Sequence, residues 1–167
     1  MPTQHPMETL KEALLLEQRG RAFYQKMAEH SRIASVSEFF KTMAEEETRH
    51  IRILNEQFKA VAKQKQYDAP NLEKNGHSSV ANAVLSNTLK SQIRAASFEA
   101  AAIAAAMHME EMTVNLYAER ARNAKDPNEK AFYRWLTEWE HTHLSFLVKL
   151  EQEIREAVWN DRQFWPF

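Results

Sequence analysis

The sequence predicts an all-α fold, a four-helix bundle made of two antiparallel helical hairpins joined by one long crossover connection. Three observations point there. The 167 residues include only two glycines, Gly20 and Gly76, and five prolines, too few for the turns of a many-stranded sheet. The prolines, at positions 2, 6, 70, 127 and 166, leave long stretches dominated by Ala, Leu, Met, Glu, Lys, Arg and Gln, the good helix formers. Within those stretches apolar residues recur at alternating steps of three and four. Sandwiches, barrels and disordered tails are thereby excluded. The length suits one domain, and an apolar share of 44% can supply its core.

The first helix should begin at Met7–Glu8, just after Pro6, and run to His30, with Leu10, Ala13, Glu17, Gly20, Tyr24 and Met27 on one face. A second should start near Ser35–Ser37, where a serine can cap, and run to Gln64. Its seam carries Phe40, Met43, Glu47, His50, Leu54 and Val61. The first hairpin therefore occupies 7–65. Asp-Ala-Pro and Asn-Gly in the stretch from Gln66 to Ser79 mark a connection. That connection extends to 94, with a short helix allowed at 80–93 by Val80, Val84, Leu85 and Leu89. The second hairpin, 95–158, comprises a helix from Ala95 to Asn123, a turn at Asp126–Pro127 with Pro near the first helical position, and a helix to Val158. The aromatic tail, 159–167, should pack on the domain or on a partner chain. Short loops within each pair and one long crossover between pairs define the ferritin-like variant of the bundle.

Charge narrows the function classes. A net charge of −1 offers neither a basic stripe for nucleic acid nor an acidic tail. No cysteine occurs, which excludes disulfides, thiolate zinc sites, iron–sulfur clusters and cysteine nucleophiles. The longest strictly apolar run, Ala100–Met107, is far short of a bilayer span, and the first residues lack a secretory pattern. The expectation is a cytoplasmic protein with no membrane partner.

The chain also repeats itself at an offset of 93 residues. Glu17 maps to Glu110, Tyr24 to Tyr117, Phe40 to Tyr133, Glu47 to Glu140, His50 to His143 and Leu54 to Leu147. Each half reads Glu-x6-Tyr followed by Glu-x-x-His, and the two halves are the two hairpins. Glu47 and His50 lie three apart and share a helix face with Met43 and Leu54. Glu140 and His143 lie between Leu136 and Leu147; Glu17 and Glu110 sit on equally apolar seams. Burying a carboxylate costs several kcal/mol, and four together repel one another. No basic residue repeats at matching positions, whereas two divalent cations would balance four carboxylates. Carboxylates and imidazoles suit iron or manganese and also hold zinc. A Glu from each of two helices plus Glu-x-x-His from each of the other two is the di-iron carboxylate pattern. The expected metal ligands are therefore Glu17, Glu47, His50, Glu110, Glu140 and His143, holding two ions. Tyr24 and Tyr117 lie two turns from Glu17 and Glu110 and are either core aromatics or residues that orient the carboxylates. Glu45, Glu46, Glu111 and Glu138 should face solvent. His30, His77, His108 and His141 should lie on the surface or at an interface.

The segments EQRGRAFYQKMAE (17–29), EEETRHIRIL (45–54), EEMTVNLYAERA (110–121) and EWEHTHLSFL (138–147) resemble the rubrerythrin-like branch of the ferritin-like superfamily. That resemblance implies that the six residues are di-iron ligands and that the chemistry is redox, with O2 or peroxide. Rubrerythrins proper carry a cysteine-ligated rubredoxin-type domain as electron relay; with no cysteine here, the resemblance implies a separate electron donor. They also carry a further glutamate three residues after the third-helix ligand, where this sequence has Thr113. That glutamate competes with the second-helix histidine as iron changes oxidation state, so Thr113 implies that His50 stays bound in both.

The resulting expectation is an oxidoreductase acting on Fe2+ with O2 or on hydrogen peroxide, with a role in oxidative stress or iron homeostasis. The alternatives are an iron-storage protein without significant turnover and a metal-stabilised interaction module. A homodimer is expected from the flanks of the bundle and from Trp159, Phe164, Trp165 and Phe167, with exchange of hairpins between chains a way to build a site from two protomers.

Overall fold

In the computed structural model, residues 5–69 and 98–160 are described, with side chains through 156. They form four helices and no strand: α1 (Pro6–His30), α2 (Ala34–Gln64), α3 (Phe98–Asn123) and α4 (Pro127–Asn160). The pairs α1–α2 and α3–α4 are tightly packed antiparallel hairpins, and α1 also packs against α3. This is the ferritin-like four-helix bundle. Most of the connection, including 80–93, and the tail residues Phe164, Trp165 and Phe167 lie outside the described residues.

Local chemistry sets the helix ends. Pro6 occupies the first turn of α1, where a missing N–H costs nothing, and the His5 side chain accepts from Met7 N at 3.3 Å. The start of α2 departs from expectation. Its cap residue is Ile33, which makes no side-chain cap bond. Ser37 instead donates its hydroxyl to Ala28 O, 2.7 Å away, at the end of α1. The serine serves the carbonyl of the preceding helix, so the hairpin turn is closed from both sides. At α4, Asp126 caps as Pro127 suggests, accepting from Asn128 N at 2.7 Å and Glu129 N at 3.2 Å. Helix α2 stops after Gln64 because its cap residue, Lys65, lies in the left-handed region with φ 63°. Beyond it Tyr67 is buried; its hydroxyl lies 3.2 Å from that of Tyr133, and its carbonyl accepts from Asn128 at 3.0 Å. The first residues of the connection are thus tied to the second hairpin.

The core consists of two apolar clusters. One holds Tyr24, Phe40, Met43, Ile103, Ala106, Leu147 and Leu150; the other holds Leu10, Ala13, Leu54, Tyr117, Phe132, Tyr133 and Leu136. On every helix a residue of one cluster and a residue of the other bracket a glutamate. Glu17 lies between Ala13 and Tyr24, Glu47 between Met43 and Leu54, Glu110 between Ala106 and Tyr117, and Glu140 between Leu136 and Leu147. The bundle therefore carries a polar layer between two apolar ends.

Candidate metal centre

All four glutamates and both histidines of that layer are buried, none more than 4% exposed. They converge in two overlapping groups, Glu17, Glu47, His50 and Glu140, and Glu47, Glu110, Glu140 and His143. Within each group the potential ligand atoms lie within 4.8 Å of one another. Glu47 and Glu140 belong to both groups, so the structure brings together all six residues singled out by the repeat.

The histidines enter the layer in the same way. His50 Nδ1 lies 2.7 Å from Glu140 Oε1, 3.1 Å from Glu17 Oε2 and 3.6 Å from Glu47 Oε2. His143 Nδ1 lies 3.1 Å from Glu140 Oε2 and 3.9 Å from both Glu47 Oε1 and Glu110 Oε2. Each ring aims Nδ1 at the carboxylates and turns Nε2 outward. The tyrosines cross over. Tyr24, on α1, donates its hydroxyl to Glu110 on α3, and Tyr117, on α3, donates to Glu17 on α1. Each hairpin thus holds a carboxylate of the other, Glu110 or Glu17, and the bonds link the halves of the repeat.

Electrostatics follow from burial and crowding. Burial, with the Glu17 carboxylate beside it, holds Glu47 well above the usual carboxylate range. Burial likewise pushes Glu110 up to about 7, against the opposing pull of His143. Burial disfavours the imidazolium of His50, but Glu140 and Glu17 outweigh it and the pKa is raised. For His143, bonds to Glu110, Glu140 and Glu46 overcome burial in the same direction. Glu140 lies between both rings; although burial disfavours its charge, His50 and His143 hold it below the usual range. Burial and the facing carboxylates raise both tyrosines, keeping them protonated donors.

One expectation fails. Glu46 is fully buried rather than solvated. Its Oε2 accepts from Trp139 Nε1 at 2.7 Å and lies 3.4 Å from His143 Nε2, while its Oε1 lies 3.2 Å from Arg49. The helical wheel places Glu46 one residue off the ligand stripe, but the neighbouring helix α4 covers that flank with an indole. The signal available in the sequence was the break in the repeat, since Glu46 corresponds to Trp139 at the 93-residue offset. Glu45, Glu111 and Glu138 are exposed, as are His30, His108 and His141; His77 lies outside the described residues.

A model of the rubrerythrin family matches residues 8–151. The chain belongs to the rubrerythrin family. No curated protein and no solved structure gives a match. Rubrerythrin membership and the buried cluster together fit a di-iron site, and the family implies iron and O2 or peroxide chemistry. The donor set agrees: each group offers three carboxylates and one imidazole, the hard and borderline ligands that iron takes. Glu-x-x-His appears on a helix in each hairpin, and Thr113 stands three residues after Glu110 on α3. Its hydroxyl donates to Met109 O at 3.1 Å, within its own helix. No described helix is long and apolar enough to cross a membrane.

Proposed function

We propose that this protein is a di-iron oxidoreductase acting on Fe2+ with O2 or on hydrogen peroxide. Glu17, Glu47, His50 and Glu140 hold one ion, and Glu47, Glu110, Glu140 and His143 hold the other. The observation that carries this reading is the pair of overlapping buried donor groups sharing two carboxylates. Four glutamates and two divalent ions reach neutrality, which burial in an apolar bundle demands. When bound, the iron pair supplies the change of oxidation state. The chain's residues supply the rest: Tyr24 and Tyr117 hold the outer carboxylates by hydrogen bonds, and the apolar clusters on either side limit water. Tyr24 and Tyr117 orient ligands in this reading and touch no substrate of their own.

Both donor groups draw residues from each hairpin: Glu17, Glu47 and His50 come from the first, and Glu110, Glu140 and His143 from the second. We further propose a cytoplasmic homodimer that draws electrons from a separate donor protein. Zinc or manganese can occupy the same ligands.

The test is to strip the metal, reload with Fe2+ without oxygen, count ions by elemental analysis, and then add hydrogen peroxide or O2 with an external reductant. Two irons per chain and sustained peroxide or O2 consumption are the expected results. Two irons with one round of oxidation and no turnover would instead favour iron storage. No retained iron would overturn the reading.

A further inference from the structure

We propose that Glu46 makes the two metal positions unequal, so that the position served by His143 binds a divalent cation more tightly and fills first. This rests on reading the buried cluster as a metal centre. The two donor groups are matched in composition, each with three carboxylates and one histidine. The difference lies one bond further out. An imidazole that ligates through Nδ1 carries its proton on Nε2, and a carboxylate accepting that proton both orients the ring and raises its donor strength.

His143 has such a partner. Its Nε2 lies 3.4 Å from Glu46 Oε2. That carboxylate is itself fixed, by the Trp139 indole N–H at 2.7 Å on the same oxygen and by Arg49 at 3.2 Å on the other. His50 has none among the described residues: its Nε2 is buried without a hydrogen-bond partner there. The indole of Trp139 packs against the His50 ring, at 90° to it with centroids 4.8 Å apart. The repeat explains the difference. Trp139 occupies the register of Glu46 in the second half, so one carboxylate–indole pair replaces what symmetry would make two carboxylates. Glu46 thus acts as a positioning residue for His143, while His50 rests on an aromatic ring.

The experiment is a titration of metal-stripped protein with Co2+, followed by its visible absorption. The wild type should load two ions in two resolved steps. Glu46→Gln, which keeps shape and removes charge, should weaken the tighter step about 10- to 100-fold and leave the other nearly unchanged. His143→Ala should abolish the tighter step, and adding Glu46→Gln to it should change nothing more. In the Zn2+-loaded protein, His143 should show a downfield, slowly exchanging Nε2–H proton resonance that Glu46→Gln shifts upfield, with no such resonance for His50. Trp139→Phe, which removes one anchor of Glu46, should weaken the same step by a smaller factor. It decides the matter if Glu46→Gln does not fold. Two equal steps in the wild type, equal weakening of both steps by Glu46→Gln, or an unshifted His143 resonance would overturn the proposal and leave the metal centre standing. Absence of Co2+ uptake by the wild type would overturn both.

Discussion

Glu47, Glu110, His50 and His143 all have raised pKa values, because burial favours the neutral carboxyls and the carboxylates around the rings favour imidazolium. In metal-stripped protein these groups hold protons where the proposed ions would sit. Ligands must deprotonate to bind. At pH 6, loading should therefore expel protons, those of the His50 and His143 imidazolium rings among them. A pH-indicator dye in weak buffer reads the release, and release of none would contradict it. Affinity should fall as pH is lowered, since protons and cations compete. Glu47→Ala or Glu140→Ala each removes a carboxylate common to both groups. Either variant should lose most metal while keeping its helical circular dichroism; full occupancy in either would refute the ligand assignment.

At the scale of the helix, Gly20 and Thr113 occupy equivalent places in the repeat, three residues after Glu17 and Glu110. Gly20 lies against Glu47: a Cβ there would sit 3.4 Å from Glu47 Cδ, an ordinary contact. Glycine in the middle of a helix is ~1 kcal/mol less favourable than alanine. Gly20→Ala should therefore raise the thermal midpoint by up to that equivalent, and a lowered midpoint would show that Glu47 needs the space. Thr113 has its hydroxyl committed to Met109 O, so α3 offers no further anionic ligand at that place. Ferric iron, with its higher charge, favours an added carboxylate oxygen. Thr113→Glu should accordingly speed peroxide consumption several-fold. An unchanged rate would show that the missing carboxylate is not limiting.

Across the whole molecule, the polar layer sets a pH dependence with a definite sign. A group whose folded pKa is raised contributes stability that is present at low pH and lost as pH rises through the folded value. Glu47, Glu110, His50 and His143 are of this kind. Glu140 is of the opposite kind, but its contribution is lost only as pH falls below the usual carboxylate range. Between pH 5 and 8 the metal-stripped protein should therefore become less stable as pH rises, which a series of calorimetric midpoints would show. A rising midpoint would contradict it. Added divalent metal should stabilise most at the alkaline end, by about 2.7 kcal/mol per ion at a hundredfold excess over Kd.

The helices, the hairpin pairing and the six converging residues were legible in the sequence, because helix periodicity and a gapless repeat are local signals that survive without knowledge of the neighbours. Sparse glycine and proline settled the fold class for the same reason. What a neighbouring helix covers is not local. A wheel drawn for α2 puts Glu46 beside the stripe, and only the approach of Trp139 from α4 buries it and turns it toward His143. The crossing of Tyr24 to Glu110 and Tyr117 to Glu17, rather than each to the glutamate of its own helix, is likewise decided by packing. So is the start of α2, where Ser37 serves the carbonyl of Ala28 instead of capping its own helix. In each case sequence spacing determined which side chains share a face, while the tertiary structure chose their partners, because a buried polar group bonds to whatever the opposing helix presents.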